Sequence, residues 1–247
     1  MEWKEADGVR WLGAQLSGAT AVFTTRAGGV STGAFAGLNL GFTTPDRGEA
    51  VRENRVSLAG ALGLDPADVL LGCQVHGAEV ERHEDRIDGI PYLDLPTNPP
   101  EADGHVTAKA GLAPMVVVAD CLPVALSGPH GVAMLHCGWR GLAAAIIERG
   151  VMETGATAAA IGPGIGPCCF EVGPEVPESF APLGPGMTEG RMLDLPEVAE
   201  RQLRAADVES VERANLCTSC NPDLFFSHRR DGGTTGRQAG IVWAWPS

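Results

Sequence analysis

Lysine is almost absent from this sequence, and basic residues of any kind are outnumbered. Only two of the 18 basic residues are lysines, Lys4 and Lys109, and they stand among 31 acidic residues, for a formal net charge of −13. Such a field repels nucleic acids and anionic bilayers, so we expect neither as a partner. Any anion that this protein binds must be recognised by arginine, whose planar guanidinium suits phosphate oxygens.

Long apolar runs and regular cysteine patterns are also lacking. The longest apolar stretch, 112–126, is interrupted by Asp120, Cys121 and two prolines, and the first 13 residues are rich in charge. We therefore expect no signal peptide and no membrane span, and the expected compartment is the cytoplasm. Seven cysteines at irregular spacing indicate reduced thiols rather than a disulfide framework. The glycine patterns GxGxxG and GxxxxGKS/T of common nucleotide-binding loops are missing as well.

Apolar periodicity predicts strands and helices that alternate without a strict β-α-β order. Strands are expected at 19–25, 114–126, 131–137, 156–161, 211–216 and 239–245, with two short ones within 69–80, and helices at 47–62, 141–152 and 195–203. Gly63 follows the first helix and predicts a left-handed cap. Residues 84–101 are acidic and proline-rich, which is typical of a surface excursion. The predicted fold class is α/β of the mixed α+β kind, with mixed β-sheets flanked by helices.

Three polar residues lie inside or at the ends of otherwise apolar strands. They are His76 in CQVHG, Cys121 in VVVADCLPV and His136 in VAMLHCGWRG. Two imidazoles and a thiolate are donors that Zn²⁺ prefers, and three protein ligands leave the fourth tetrahedral position for water or substrate. Each residue alone is also typical of a packed core. Cys121 has a second interpretation as a thiolate nucleophile beside a histidine.

Several arginines stand next to glycines, which let a ligand approach the backbone. These are Arg26 in TTRAGGVS, Arg140 in HCGWRGLA, Arg229 and Arg230 in FFSHRRDGG, and Arg237 in TTGRQAG. Guanidinium groups bind phosphate oxygens in a bidentate manner, so the pattern predicts an anion pocket. The alternative for each one is a salt bridge at the surface.

The remaining cysteines and histidines give weaker signals. Cys217 and Cys220 form a C-x-x-C pair that could be half of a zinc ribbon, with only the adjacent Cys168 and Cys169 to complete it, and we interpret the pair as structural or incidental. The polar surroundings of three histidines predict exposure to solvent, and a fourth histidine is a weaker site candidate. The three are His83, His105 and His130, and the fourth is His228.

Taken together, the motifs resemble the YfiH/YlmD-type laccase-domain family, also called multicopper polyphenol oxidase or purine nucleoside phosphorylase. Seven ordered blocks carry the resemblance: TTRAGGVSTGAFAGLNLG at 24–41, QVHG at 74–77, ADGHVT at 102–107, ADCLPVAL at 119–126, HCGWRG at 136–141, IGPGIGPCCFEVG at 161–173 and FFSHRRDGGTTGRQAG at 225–240. Cys137 departs from the small residue expected there, and Phe170 stands where tyrosine is common. The resemblance implies one laccase-type domain over 1–247, with a fold similar to the catalytic domain of cytotoxic necrotizing factor toxins.

The same resemblance implies an enzyme and its site. In that family the matching residues bind zinc, which here are His76, Cys121 and His136, with copper as an alternative metal. The implied reaction is phosphorolysis of adenosine, inosine or methylthioadenosine, in which phosphate displaces the purine at ribose C1′, together with deamination of adenosine. Arg26 is then expected to act in catalysis by holding phosphate. The expected substrate-binding residues are Asn39, Arg140, Arg229 and Arg230, in a monomer or a homodimer.

Three other functions remain open from the sequence. A copper-dependent polyphenol oxidase fits the family name, but a blue-copper site with a trinuclear cluster needs many histidines, and this chain has six histidines and no HxH pair. A cysteine amidase or editing hydrolase acting on cell-wall precursors would use Cys121 as nucleophile and His136 as base. A binding or scaffold module would hold metal without turnover.

Overall fold

The computed structural model describes residues 1–94 and 99–245. Its strands are β1 (Glu2–Ala6), β2 (Val9–Leu16), β3 (Ala19–Thr24), β4 (Val69–Leu70), β5 (Val80–Arg82), β6 (Gly104–Thr107), β7 (Ala113–Val118), β8 (Leu122–Gly128), β9 (Gly131–Cys137), β10 (Ala158–Ile161), β11 (Thr188–Glu189), β12 (Met192–Leu193), β13 (Ser210–Arg213) and β14 (Gln238–Ala244). Its α-helices are α1 (Gly48–Leu62), α2 (Trp139–Ala143), α3 (Ile146–Thr154), α4 (Glu175–Glu178) and α5 (Leu195–Ala205). Among the helices of the described residues, none is both long enough and apolar enough to cross a bilayer.

Two six-stranded sheets form the centre of the structure, which confirms the predicted mixed α+β class. Sheet A has the order β1-β2-β3-β14-β7-β4, and sheet B has the order β13-β10-β8-β9-β6-β5. Most neighbours are antiparallel, but β4 with β7, β5 with β6, and β10 with β13 are parallel. Strands β11 and β12 make a separate two-stranded hairpin. Each sheet is therefore mixed, and each has a parallel pair at one or both edges.

Alternation along the strands gives each sheet two buried faces. Between the sheets, Phe23 and Val242 of sheet A lie in one core cluster with Ala125 and Met134 of sheet B. The outer face of sheet A packs with α1, and the outer face of sheet B packs with α3 and α5. The layers are thus helix, sheet, sheet, helix, as expected for sheets that must bury both faces.

The helix predicted at 47–62 is confirmed, and it ends at Gly63 in the left-handed region with φ 67°. The helix predicted at 141–152 is divided into α2 and α3, because Ala145 between them has φ 67°. An L-residue in that region costs about 1–2 kcal/mol, so the surrounding packing must hold the break. Nothing in the local sequence, a run of alanines and isoleucines, marks it.

Two further sequence predictions are wrong, and three strands were missed. The run 114–126 is not one strand, because Asp120 has φ 89° and separates β7 of sheet A from β8 of sheet B. The excursion 84–101 is not wholly at the surface, since Tyr92 and Leu93 are buried against sheet A, while its residues 95–98 lie outside the described residues. Strands β1, β2 and β6 were not predicted, because charged and polar residues interrupt the alternation of apolar residues there.

Gly240 of β14 lies where the two sheets pack closely against each other. A Cβ built there would lie 2.6 Å from Pro123 Cβ and 2.8 Å from the Met134 sulfur, both in sheet B. Glycine is required because the proline ring is rigid and cannot move aside. We predict that Gly240→Ala lowers the free energy of unfolding by about 1–3 kcal/mol, as overpacked cores do.

The matched control is Gly60→Ala, on the exposed side of α1, where a Cβ would meet nothing within 4 Å. Alanine in a helix is favoured over glycine, so this variant should gain up to about 1 kcal/mol. Chemical denaturation of both variants measures the difference. Equal stability of the two variants would contradict the close packing of the sheets at Gly240.

Candidate active site

Three strand ends bring His76, Cys121 and His136 together. Cys121 immediately precedes β8 and His136 lies near the end of β9, and the register that pairs Leu122 with Cys137 places both at the same end of this hairpin. His76 lies in the loop between β4 and β5. The two ring nitrogens and the sulfur lie within 4.8 Å of one another. The site predicted from three distant segments is therefore one cluster.

A single buried carboxylate, Asp103, holds this cluster in place. Its Oδ1 lies 2.7 Å from Nδ1 of His136. The backbone N–H groups of Val75, His76 and Gly77 also donate to it, at 3.1, 3.0 and 2.7 Å. These bonds keep His76 in the left-handed region, with φ 61°, which is uncommon for a residue with a Cβ. Asp103 thus fixes one histidine through its ring and the other through its backbone.

The electrostatic interactions among the residues of the cluster favour a thiolate on Cys121 beside an imidazolium on His136. Burial opposes ionisation of Cys121, but His136 and His76 stabilise the thiolate and lower its pKa to about 6. Burial likewise opposes the charged form of His136, yet Cys121 and Asp103 raise its pKa to about 9. Burial would raise the pKa of Asp103, and its hydrogen bonds to His136 and to the backbone lower it instead.

The cluster fits a metal ion. When Nδ1 of His136 bonds Asp103, its Nε2 is left to bind metal, and a carboxylate behind a ligating histidine is the usual arrangement in zinc sites. Gly138 makes room, because a Cβ there would lie 3.0 Å from the Cys121 sulfur and 3.4 Å from Cδ2 of His76. Two imidazoles and one thiolate suit Zn²⁺, and three protein ligands are typical of catalytic zinc.

The cluster opens into a cleft of about 460 Å³ that is lined from both sheets. Three arginines, Arg140, Arg229 and Arg237, line the cleft. Among the described residues, its lining contains one carboxylate, that of Asp120. That carboxylate is already engaged, since it accepts from the Thr218 hydroxyl at 2.6 Å and from the Arg229 N–H at 2.7 Å. The cleft therefore concentrates positive charge in an acidic protein.

These arginines are oriented by their neighbours. Arg140 lies over the Trp139 ring at 4.6 Å, and Arg229 lies over the Phe170 ring at 5.3 Å. Arg237 donates to two backbone carbonyls at 2.9 Å. Burial lowers the Arg237 pKa, although Cys121 and Asp120 oppose that shift. Arginines held in this way lose little freedom when they bind an anion.

Arg55 is a buried cation in the wall of the same cleft. It donates to the carbonyls of Leu40 and Tyr92 at 2.6–2.8 Å, and it lies 4.3 Å from the centre of the Phe42 ring. Burial lowers its pKa to about 10, with Tyr92 opposing the shift. Its donors are committed to the backbone, so we assign it to the architecture of the wall.

The structure does not bring three of the predicted site residues into this group. Within the described residues, Arg26, Asn39 and Arg230 lie outside the cleft lining. Arg26 donates to the carbonyls of Ala36 and Pro222. The Asn39 side chain donates a hydrogen bond to Asp46 and accepts one from the Arg237 N–H.

Arg230 pairs with Asp231 and donates to the Thr218 and Phe225 carbonyls. Like the contacts of Arg26 and Asn39, these contacts organise loops around the cleft. A glycine next to an arginine therefore indicates the structure of a loop as well as room for a ligand.

Two histidines predicted to face solvent are buried, which corrects that expectation. His83 and His105 are 7% and 0% exposed, and Nε2 of His83 lies 3.0 Å from Nδ1 of His105. Burial and the neighbouring His83 lower the pKa of His105 to about 3. His130 is exposed as predicted, and His228 lines the cleft.

Sequence reasoning assigned no role to Asp103, and it named Arg237 only among the arginines of the predicted anion pocket. Both lie in quoted motifs, ADGHVT and TTGRQAG. An aspartate followed by glycine before a short strand was the available signal for Asp103, but its partners are 26–33 residues away in sequence. Only the fold shows which groups it reaches.

The fold and the cluster define a mixed α+β protein with a candidate metal centre in an arginine-lined cleft. The family described as Multi-copper polyphenol oxidoreductase laccase matches residues 20–245, and this chain belongs to it. Purine nucleoside phosphorylase YlmD of Geobacillus stearothermophilus is 37% identical over 249 residues, covering 92% of this chain and 90% of the relative. Purine nucleoside phosphorylase YfiH of Escherichia coli is 36% identical over 242 residues, covering 93% and 95%.

Solved structures agree with this membership and with the resemblance seen in the motifs. The crystal structure of YlmD from Geobacillus stearothermophilus superposes with a TM-score of 0.88 at 37% identity, covering 98% of each chain. The structure of Bacillus licheniformis hypothetical protein YfiH gives a TM-score of 0.86 at 30% identity, again covering 98% of each chain.

Asp103 gives the sharpest test of the cluster. In Asp103→Asn, the amide NH₂ faces backbone N–H donors, and the carboxylate behind His136 is lost. We predict that zinc affinity falls roughly 10–100-fold, as for other residues behind a metal ligand. Competition with a chromophoric chelator measures the affinity, and thermal unfolding verifies that the variant is folded. Asp85→Asn is the control, because it removes the same charge from an exposed pair with Lys109. Unchanged zinc affinity in folded Asp103→Asn would contradict its role.

Proposed function

We propose that this chain is a zinc-dependent purine nucleoside phosphorylase that acts on adenosine, inosine and methylthioadenosine. The observation that carries the proposal is the His76–Cys121–His136 cluster opening into a cleft lined by Arg140, Arg229 and Arg237. Relatives that align over most of their length bear that enzyme's name. A metal centre beside an anion pocket suits a reaction in which phosphate is a substrate.

The chain's own residues supply most of what phosphorolysis requires. A phosphate oxygen forms a bond to ribose C1′ while the bond from C1′ to the purine nitrogen breaks, and its electron pair leaves with the base. Arginines hold the phosphate in line and reduce its charge, which lowers the cost of placing a dianion in an acidic protein. The apolar wall, including Trp139 and Phe170, receives the purine. His228, also in the lining, is the group that we assign to protonate the departing base.

Zinc, held by His76, Cys121 and His136, would supply a Lewis acid at the wall of the cleft. Deamination of adenosine belongs to the same proposal. In that reaction a water oxygen replaces the amino group at purine C6, and ammonia leaves. The two activities are separable because one needs phosphate and releases a base, whereas the other needs neither phosphate nor cleavage at C1′.

A thiol hydrolase acting on cell-wall precursors is a second candidate, and one observation favours it. Cys121, His136 and Asp103 form a thiolate, imidazole and carboxylate series, with the carboxylate orienting the ring. Copper oxidation has weaker support. Of the six histidines, two lie in this cluster, while His83 and His105 belong to a separate buried group with Glu81, which is few for a trinuclear copper site.

Metal removal distinguishes these functions. We predict that the purified protein releases adenine from adenosine only when phosphate is present, with ribose 1-phosphate as the second product. Chelation should abolish the release, and zinc should restore it. His76→Ala and Cys121→Ala should lose the metal ion of this cluster together with turnover. A thiol hydrolase would instead keep its activity in chelator and lose it when metal occupies the thiolate. Base release that persists in metal-free protein would overturn the zinc assignment.

Arg140 offers a test of the anion pocket. Arg140→Gln removes one cation from the cleft rim while leaving a side chain to cover Trp139. A hydrogen bond to a charged group contributes about 1.5–3 kcal/mol, so KM for phosphate should rise on the order of 10–100-fold, with a smaller change in KM for the nucleoside. Steady-state kinetics with each substrate varied measures both. Arg149→Gln is the control, because Arg149 pairs with Glu79 at the surface. Equal effects on both KM values would contradict a phosphate role.

A further inference from the structure

A second group of metal-binding side chains lies apart from the cluster at His76. Cys168 and Cys169 follow β10, and Cys217 and Cys220 follow β13. These two strands are parallel neighbours, and their register pairs Ile161 with Arg213. The loops that follow them therefore begin at the same end of sheet B. An isolated bridge between Gly164 and Cys217 continues the pairing into the loops. Topology thus brings together two cysteine pairs about fifty residues apart in sequence.

The four sulfurs are arranged as ligands of one ion. All lie within 4.8 Å of one another. The Cys220 sulfur is 3.3 Å from that of Cys168 and 3.4 Å from that of Cys169. A disulfide needs about 2.05 Å, whereas zinc-to-sulfur bonds of ~2.3 Å in a tetrahedron place sulfurs roughly 3.8 Å apart. The observed separations are closer to the tetrahedral value.

The backbone around Cys217 favours a thiolate. The N–H of Gly166 donates to its sulfur at 3.3 Å. Burial opposes ionisation, but this and other hydrogen bonds lower the pKa of the Cys217 thiol. Burial and hydrogen bonds to neighbouring thiols raise the pKa of Cys168. Zinc binds thiolates rather than thiols, so a divalent ion bound by these sulfurs would favour the deprotonated form of all four.

We propose that Cys168, Cys169, Cys217 and Cys220 bind a second zinc ion in a closed tetrathiolate site. Four thiolates fill the tetrahedral shell and leave no position for substrate, which is the pattern of a structural site. The four sulfurs lie within 4.8 Å of one another, which suits a single ion rather than a cluster of several irons. This proposal does not rest on the proposed phosphorylase activity.

This second ion would fix one wall of the cleft. Ile165 and Phe170, on either side of the first cysteine pair, line the cleft. Thr218, between the second pair, donates its hydroxyl to Asp120 at 2.6 Å. Asp120 in turn accepts the Arg229 N–H and directly precedes Cys121. The tetrathiolate site would hold the loops that orient both the anion pocket and a ligand of the first metal.

Metal stoichiometry tests the proposal. Protein purified under reducing conditions without added metal should contain two zinc ions per chain by elemental analysis. The double variant Cys168→Ser/Cys220→Ser should contain one. Cys73→Ser, which removes a cysteine outside both clusters, is the matched control and should keep two. His76→Ala should lose the first ion and keep the second, whatever its activity.

X-ray absorption at the zinc edge of His76→Ala keeps the test decisive if the double variant does not fold. The remaining ion should show four sulfur neighbours at ~2.3 Å and no nitrogen. One zinc ion in the wild type that is lost in His76→Ala, iron in place of zinc, or a disulfide between Cys168 and Cys220 in the reduced preparation would each overturn the proposal. Loss of phosphorolysis with two ions retained would bear on the proposed function alone.

Discussion

The hydrogen bonds converging on Asp103 are the constraint on which the candidate active site depends. One carboxylate accepts hydrogen bonds from three consecutive backbone N–H groups and is hydrogen-bonded to one imidazole. These bonds keep a non-glycine residue, His76, in a left-handed conformation and fix the ring of His136. Asp103 lies directly before β6, which pairs with β9, and its carbonyl accepts from the His136 N–H, so the carboxylate is anchored at the end of sheet B. The geometry of the candidate metal site thus follows from the register of sheet B.

The same logic extends across the cleft. Asp120 also adopts a positive φ, at the point where the chain passes from sheet A to sheet B. Its carboxylate ties Thr218 and the backbone of Arg229 to the residue next to Cys121. The two aspartates are therefore engaged in hydrogen bonds within the protein, one bonded to His136 and the other next to Cys121. The arginines of the cleft remain available for an anionic ligand. Because this positive charge is concentrated in one cavity, the net charge of −13 is compatible with the proposed phosphate substrate.

The sequence was informative where chemistry and local pattern coincide. Imidazoles and a thiol at the ends of apolar strands indicated His76, Cys121 and His136, and glycine after an amphipathic helix indicated the cap at Gly63. Prediction failed where distant partners decide the outcome. The division of 114–126 between two sheets depends on a strained backbone that only the surrounding bonds maintain. Arg26, with a glycine-rich neighbourhood like that of Arg140, donates its hydrogen bonds to loop carbonyls. The convergence of four cysteines follows from a parallel pairing of β10 with β13 that the sequence does not display.

The central claim is that His76, Cys121 and His136 hold one metal ion with a coordination position open to the cleft. Anomalous scattering from crystals, recorded on both sides of the zinc absorption edge, tests it most directly. The account predicts a peak about 2.0–2.3 Å from the two ring nitrogens and the sulfur, with the fourth direction facing the arginines. Crystals of zinc-supplemented protein with no peak at that point would contradict the account.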